Sequence, residues 1–327
     1  MNILVTGGAG FIGSHTVLKL KEKGHFVIVY DNLSKGYKEL IFSDIFVEGD
    51  IHNKELLKEV IKKYNIEGVL HFAAFIEAGE SMKLPSKYFN NNSVGSIALL
   101  DAIIESNVKF FIFSSTAALY GYPDKIPITE DSPLHPVNAY GESKLIVEKV
   151  LKWYSQIYGL NYISLRYFNA AGADEKMRSG EMHRPETHLI PLAIQAAFGE
   201  REKLYIYGSD YNTKDGTCIR DYIHVSDLAE AHLLALDYLT TEKRSEIFNL
   251  GSENGYSVRE VINVVKEVTG KDFIVEETER RAGDPEILIA SSQKIKSVLK
   301  WEPKYKDLKE IVATAVNYYK KWKKIDN

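Results

Sequence analysis

The sequence predicts an α/β fold: a doubly wound parallel sheet joined to a smaller mixed α/β lobe. Three features carry this reading. Apolar runs of strand length recur, helical stretches separate them, and a glycine cluster sits between the first run and the first helix. The strand runs are Ile3 to Thr6, Phe26 to Tyr30, Ile45 to Val47, Val69 to Phe72, Phe110 to Phe113 and Tyr162 to Leu165. They are almost purely apolar rather than alternating, as expected for strands covered on both faces. Helical patterns fall near 12–23, 53–64, 86–106 and 139–158. This βαβα order implies a parallel sheet with crossover helices. Beyond about residue 170 the pattern changes. Segment 172–188 is polar, rich in charge, Gly and His, and reads as a loop. Helical patterns near 188–199, 226–239, 257–269 and 305–323 follow, with short strands between them. The expected division is 1–170 and 171–327, with a soft boundary because the chain could return to the first sheet.

Bulk properties set limits. The chain has 327 residues, 45% of them hydrophobic, enough for one large domain or two moderate ones. The formal charge of −4 gives no electrostatic reason to expect nucleic acid or a membrane surface as partner. Met1-Asn2 runs directly into Ile3-Leu4-Val5, which does not read as a signal peptide. No apolar stretch approaches the roughly 20 residues of a membrane span. Cys218 is the single cysteine, so no intramolecular disulfide and no cysteine metal cluster forms. Nothing suggests a metal, and a cytoplasmic enzyme fits.

Gly7, Gly10 and Gly13 give a G-x-x-G-x-x-G spacing directly after the first strand, and Gly8, Gly10 and Gly13 satisfy G-x-G-x-x-G. Glycine lets the backbone turn tightly and approach a pyrophosphate seated on the helix N-terminus, here opened by Phe11-Ile12. The second strand ends in Asp31-Asn32, about 20 residues on. A carboxylate there accepts from both ribose hydroxyls and repels a 2′-phosphate, so NAD is expected over NADP. This is a Rossmann arrangement. Asp50-Ile51 follows the third strand, where an adenine ring would lie; Asp50 could equally start the next helix.

The chemistry falls further on. Phe113-Ser114-Ser115-Thr116 closes a strand, and Tyr140 and Lys144 open a helix at spacing i, i+4, on one face. A free tyrosine, with a pKa near 10, is a poor base at neutral pH. Lowering it by about 3 units takes roughly 4 kcal/mol. One cation at about 4 Å supplies that order of energy at an effective dielectric near 20. Thr116 can hydrogen-bond a sugar hydroxyl or the phenol. Taken alone, Y-x-x-x-K is common on surface helices; the glycine fingerprint and the strand-end Thr reverse those odds.

Over nearly its whole length the chain resembles the extended short-chain dehydrogenase/reductase family, and within it the UDP-glucose 4-epimerases. The resemblance rests on Val5 to His15, Val47 to Ile51, His71-Phe72-Ala73-Ala74, Gly79-Glu80-Ser81, Phe113 to Ala117, Tyr140 to Lys144, Leu165 to Asn169, Asp215 to Val225 and Arg280-Arg281-Ala282-Gly283-Asp284. It implies that Tyr140 is the base for the sugar 4-hydroxyl, with Lys144 binding the nicotinamide ribose and Thr116 assisting. It implies NAD contacts from Gly7, Gly10, Phe11, Ile12, Gly13, Asp31, Asn32, Asp50, Ile51, Phe72, Ala73, Ala74, Asn92, Ser114 and Tyr167 as well. It implies that Asn169, Tyr205, Tyr207, Arg220, Arg281 and Asp284 hold a UDP-hexose. His188-Leu189 stands where the family often has Asn-Leu near the uracil and diphosphate. Ile76 stands where some members carry a cofactor-contacting lysine, which would weaken cofactor retention. Leu288 stands where side-chain size helps decide whether an N-acetyl group fits; plain core packing explains it equally well. A diphosphate suits Arg for its bidentate, permanent charge, although a surface ion pair is the commoner role of a single arginine.

The implied reaction is NAD-dependent oxidation at C4, rotation of a 4-keto sugar and return of hydride, with no net redox change. Ala117-Ala118 after Thr116 offers no carboxylate, which disfavours the dehydratases. A non-catalytic NAD sensor would tolerate a broken Y-x-x-x-K, and here the motif is intact. The resemblance also implies a homodimer, paired through helices near 86–106 and 139–158.

Overall fold

The computed structural model describes residues 1–281 and 283–325, so Ala282 of the Arg280–Asp284 run lies outside the described residues. Among the described residues thirteen strands form: β1 Asn2–Thr6, β2 Phe26–Asp31, β3 Ile45–Glu48, β4 Gly68–His71, β5 Phe110–Thr116, β6 Asn161–Tyr167, β7 Asn169–Ala171, β8 Lys203–Tyr207, β9 Ile219–His224, β10 Glu246–Leu250, β11 Gly255–Ser257, β12 Ile274–Thr278 and β13 Ile287–Leu288. Seven of them make one parallel sheet in the order β10-β6-β5-β4-β1-β2-β3. The order reverses between β1 and β4. Ligands of such sheets bind beyond the strand carboxyl ends at that reversal. Register aligns Thr6 with both Tyr30 and His71, His71 with Phe113, and Thr116 with Tyr167, so those ends share one edge.

The apolar strands are explained by two cores. Ile3, Val5, Val27, Val29 and Ile112 face one side of the sheet, and Leu4, Ile28, Tyr30, Val69 and Phe111 face the other. Helices Phe11–Glu22 and Val225–Glu242 cover the first side. Helices Lys54–Lys63, Ser96–Glu105 and Ala139–Tyr158 cover the second. The chain therefore crosses back: segment 225–250 supplies a covering helix and the edge strand β10 to the first sheet. The second lobe keeps the sheet of β11, β9, β13 and β7, the pair β12–β8, and helices Leu189–Ala197, Val258–Thr269 and Leu308–Lys323 around its own core.

One expected helix differs. The 86–106 pattern becomes a short turn Pro85–Tyr88, a π-helical segment Phe89–Gly95 and the α-helix Ser96–Glu105. The π segment carries Asn92. Its side chain accepts from Phe75 N and donates to Phe75 O, both at 2.9 Å, and donates to Ser143 Oγ at 3.1 Å. A π turn of this kind often marks a functional site. Segment 172–188 forms no regular element, as expected.

A buried ion pair fixes the Ala139–Tyr158 helix to the sheet. Arg166 of β6 donates through Nε (3.0 Å) and Nη2 (2.6 Å) to Glu148, and through Nη1 (2.9 Å) to Tyr120 Oη. Tyr120 Oη donates to Asn249 Oδ1 of β10 at 2.6 Å, and Ser115 Oγ of β5 donates to Glu148 at 2.6 Å. Arg166 and Glu148 are 3% and 5% exposed. Removing one partner strands the other's charge. Glu148→Ala should cost about 3–5 kcal/mol in urea unfolding, and Glu148→Leu with Arg166→Met should recover most of it. A loss below about 1 kcal/mol for the single variant would show the pair to be dispensable.

Candidate active site

The cradle after β1 is shaped by three glycines with different constraints. Gly7 has φ +72°, and a Cβ there would lie 2.5 Å from Ala73 N. A Cβ on Gly13 would lie 2.2 Å from Gly7 O. These two are demanded by the fold itself. A Cβ on Gly10 meets only Gly7 O, at 3.3 Å, so Gly10 keeps the approach to the helix clear. Gly10 is the N-cap of the Phe11–Glu22 helix, which has no side-chain cap and no acidic residue in its first turn. An uncapped, unopposed helix N-terminus suits a pyrophosphate.

At the end of β2, Asp31 is 8% exposed and accepts from Ala9 N (3.0 Å) and Leu33 N (2.8 Å). Burial pushes its carboxyl above the usual range, against those two donors. Asn32 donates to Asp50 at 2.8 Å, and Asp50 accepts from His52 N and Nδ1 at 2.9 and 2.6 Å. Burial opposes ionisation of Asp50, but the bonds from His52 and Asn32 hold its pKa below normal. Asn53, rather than Asp50, caps the following helix by accepting from Leu56 N. A cleft of about 610 Å³ opens here, lined by Asn32, Asp50, His52, Asn53, Phe75, Lys87, Asn90 and Asn91. Ile51 packs into the core beside it. The cradle, the Asp31 carboxylate and this cleft fit a dinucleotide. Phe72 packs against His232, with ring centroids 4.8 Å apart, and Ala73 and Ala74 continue the wall next to Gly7.

Asn138 caps the Ala139–Tyr158 helix by accepting from Gly141 N, which sets Tyr140 in the first turn. Lys144 is 2% exposed, and its Nζ donates to Ser114 O at 3.0 Å. Burial lowers its pKa to about 7. Tyr140 departs from the sequence expectation. Burial pushes its phenol up to about 12; the Thr116 hydroxyl pulls the other way and the Glu77 carboxylate adds to the rise. Lys144 directs its ammonium at a carbonyl of β5, and the burial of the phenol is offset only by the Thr116 hydroxyl. Thr116 Oγ1 also accepts from Ala118 N at 3.1 Å, and Ser114 hydrogen-bonds Tyr167. Thr116, Ser114, Tyr140, Lys144 and Tyr167 therefore meet where β5 and β6 end.

The second lobe gathers another set. Asn169 donates to Asp221 O at 2.9 Å. Arg220 is ion-paired with Asp284. Arg281 lies over the Tyr207 ring, 3.8 Å from its centroid, with Tyr205 alongside Tyr207. Leu288 packs beside Ala117, Tyr120 and Phe168. His188 caps the Leu189–Ala197 helix without a side-chain bond to it. Its Nδ1 lies 2.8 Å from Glu186; burial opposes the charged ring, but Glu186 and Glu181 carry its pKa up to about 9.

Three groups of residues escaped the sequence reading: the buried Arg166–Glu148 pair, the Glu181, His183 and Glu186 side chains around His188, and Glu77. Glu77 is next to Ile76 and ion-paired to Lys35 at 2.6 Å. Burial works against its charge, but Lys35 holds its carboxyl at about 2.

A model of the family described as NAD dependent epimerase/dehydratase matches residues 3–251. The chain belongs to that family. A UDP-glucose 4-epimerase of Halalkalibacterium halodurans is 52% identical over 320 residues, covering 98% of this chain and 96% of the relative. The crystal structure of UDP-glucose 4-epimerase from Brucella ovis in complex with NAD is similar at 47% identity, with TM-score 0.94 and coverage of 97% and 98%. The structure of a UDP-Glc/GlcNAc 4-epimerase from Campylobacter jejuni is similar at 45% identity, with TM-score 0.85 and coverage of 98% and 99%.

For this epimerase/dehydratase family member, the buried lysine has a measurable signature. Lys144 holds its proton less tightly folded, at about 7, than at the ordinary value of 10.5. The unfolded chain binds more protons between those values, so this group's contribution to stability rises with pH across that window. Lys144→Met should therefore stabilise the cofactor-free protein most at pH 7 and below, with the gain shrinking toward pH 10. Urea unfolding of both proteins at about pH 7 and 9.5 checks this. A gain independent of pH would contradict it.

Proposed function

We propose that this protein interconverts UDP-glucose and UDP-galactose, an isomerase reaction with NAD as resident cofactor. The carrying observation is the convergence of Thr116, Tyr140 and Lys144 at the carboxyl end of β5, facing the edge on which the glycine cradle opens. NAD, when bound, supplies a reversible acceptor for the hydrogen at C4. Tyr140 takes the O4 proton, and Thr116 holds the same hydroxyl. A phenol near 12 retains its own proton. Its basic form therefore belongs to the state in which a cation is bound alongside and Lys144 is charged. Arg220 and Arg281 hold the diphosphate, with Arg220 exchanging or sharing its bond to Asp284. Asn169, Tyr205, Tyr207 and His188-Leu189 complete the nucleotide grip. UDP is thus anchored by charge while the hexose, held by fewer groups, is free to turn as a 4-keto sugar.

A second reading is epimerisation of UDP-N-acetylhexosamines; Leu288 puts UDP-glucose and UDP-galactose first without closing the pocket to an N-acetyl group. This leucine is intermediate in size and packs against Ala117 and Phe168. The similarity to the Campylobacter jejuni protein supports the second reading.

In this proposal residues 1–170 bind NAD and 171–327 bind the nucleotide-sugar, with 225–250 lent back to the first sheet. No described helix is long and apolar enough to cross a membrane. We place the enzyme in the cytoplasm, with neither membrane nor nucleic acid as partner. Homodimerisation is supported by exposed apolar side chains on the expected helices: Val94, Trp153, Ile157 and Tyr158.

Purified protein with no added NAD should convert UDP-galactose to its 4-epimer. Tyr140→Phe should lower kcat by about 10²–10⁴-fold while retaining NAD. No turnover of either UDP-hexose, even with NAD supplied, would defeat the proposal. Trp153→Glu with Ile157→Lys should convert the dimer to monomer in sedimentation velocity; an unchanged dimer would move the interface elsewhere.

A further inference from the structure

Loop 172–188 carries the pattern E-x-H-x-x-E-x-H at Glu181, His183, Glu186 and His188. One donor atom from each side chain lies within 4.8 Å of the others. Glu181 and Glu186 are largely buried, and among the described residues their only ion-pair partners are these two histidines. His183 Nδ1 lies 2.6 Å from Glu181 Oε1, yet this buried nitrogen makes no hydrogen bond, because the approach misses its direction. The rings of His183 and His188 are 5.7 Å apart at their centroids. Two carboxylates and two imidazoles thus crowd one place, where His188–Glu186 is a directed hydrogen bond and His183–Glu181 is not.

We propose that these four residues form a site for a divalent cation of the zinc class. Two imidazoles, which give up their protons to solvent on binding the metal, and two carboxylates make a charge-balanced, borderline set for Zn²⁺. Zinc donors sit about 2.0–2.2 Å from the metal, so donors in a tetrahedron are about 3.3–3.6 Å apart. The observed separations, up to 4.8 Å, exceed that spacing by about 1.2–1.5 Å at most. The cation would tie down a loop that has no regular structure, at the point where it enters the Leu189–Ala197 helix. It would position His188-Leu189 and act on substrate through that segment, not on the reacting carbon. Metal binding is measured independently of turnover, so this site stands or falls apart from the proposed reaction.

The test uses the full-length protein, stripped with EDTA and reconstituted with Zn²⁺ alone, followed by metal analysis after gel filtration. About one zinc per chain is expected, with an increase of several degrees in Tm over the stripped protein. Cobalt(II) should give the intense visible absorption of a tetrahedral site. His183→Ala and Glu186→Gln should each lose the metal and the Tm increment. Less than about 0.2 zinc per chain in the wild type would overturn the site. So would stoichiometric zinc retained by either variant. Should His183→Ala fail to fold, Glu186→Gln and the cobalt spectrum of the wild type decide the matter.

Discussion

The site depends on how one helix face is fastened to one strand. Tyr140, Lys144 and Glu148 recur every fourth residue and form a single stripe on the Ala139–Tyr158 helix. Each meets its own part of the end of β5: Tyr140 the Thr116 hydroxyl, Lys144 the Ser114 carbonyl, Glu148 the Ser115 hydroxyl. The deepest contact is clamped by Arg166 from β6, and that arginine is tied through Tyr120 to β10. Misplacing a reacting group by about 1 Å can cost about a hundredfold in rate. A buried, bidentate ion pair one turn below Lys144 is therefore well placed to hold the register of the chemical groups above it.

Much of this was legible in the sequence. The six early strands are nearly pure Val, Ile, Leu and Phe, because each is covered on both faces, and such runs announce themselves. The glycine fingerprint was legible because Gly7 and Gly13 are fixed by backbone contacts within and next to the turn. The pairing of Arg220 with Asp284 was not, since it joins residues far apart in the chain through the packing of β9 against the segment before β13. Glu148 and Arg166 each read as ordinary members of their elements, and only the sheet brings them together. The π-helical segment was hidden because it goes with Asn92 reaching the backbone of Phe75, a contact that helical periodicity does not register. The upward pull of burial on the Tyr140 phenol was not legible for a related reason. A charge at i+4 was counted, but the burial of both groups was not.

Neutral polar groups finish the switch point. His71 is buried, and desolvation drives its pKa to about 3. Its two nitrogens hydrogen-bond Thr6 Oγ1 (2.6 Å) and Ser96 Oγ (2.8 Å). A neutral imidazole can donate from one nitrogen and accept at the other, so it joins β1, β4 and the 96–105 helix without bringing charge near the cofactor cleft.

The edge strand β10 has a consequence for synthesis. β6 is complete at Tyr167, but its outer partner ends only at Leu250. At about 5–20 residues per second, the ribosome needs roughly 4–17 s to make the intervening chain. Through that interval β6 presents an unpaired apolar edge, and such edges recruit strands from other chains. The nascent protein therefore passes through a stage vulnerable to aggregation. The arrival of a segment from the middle of the second half ends that stage, and the sheet closes only when most of the chain has emerged.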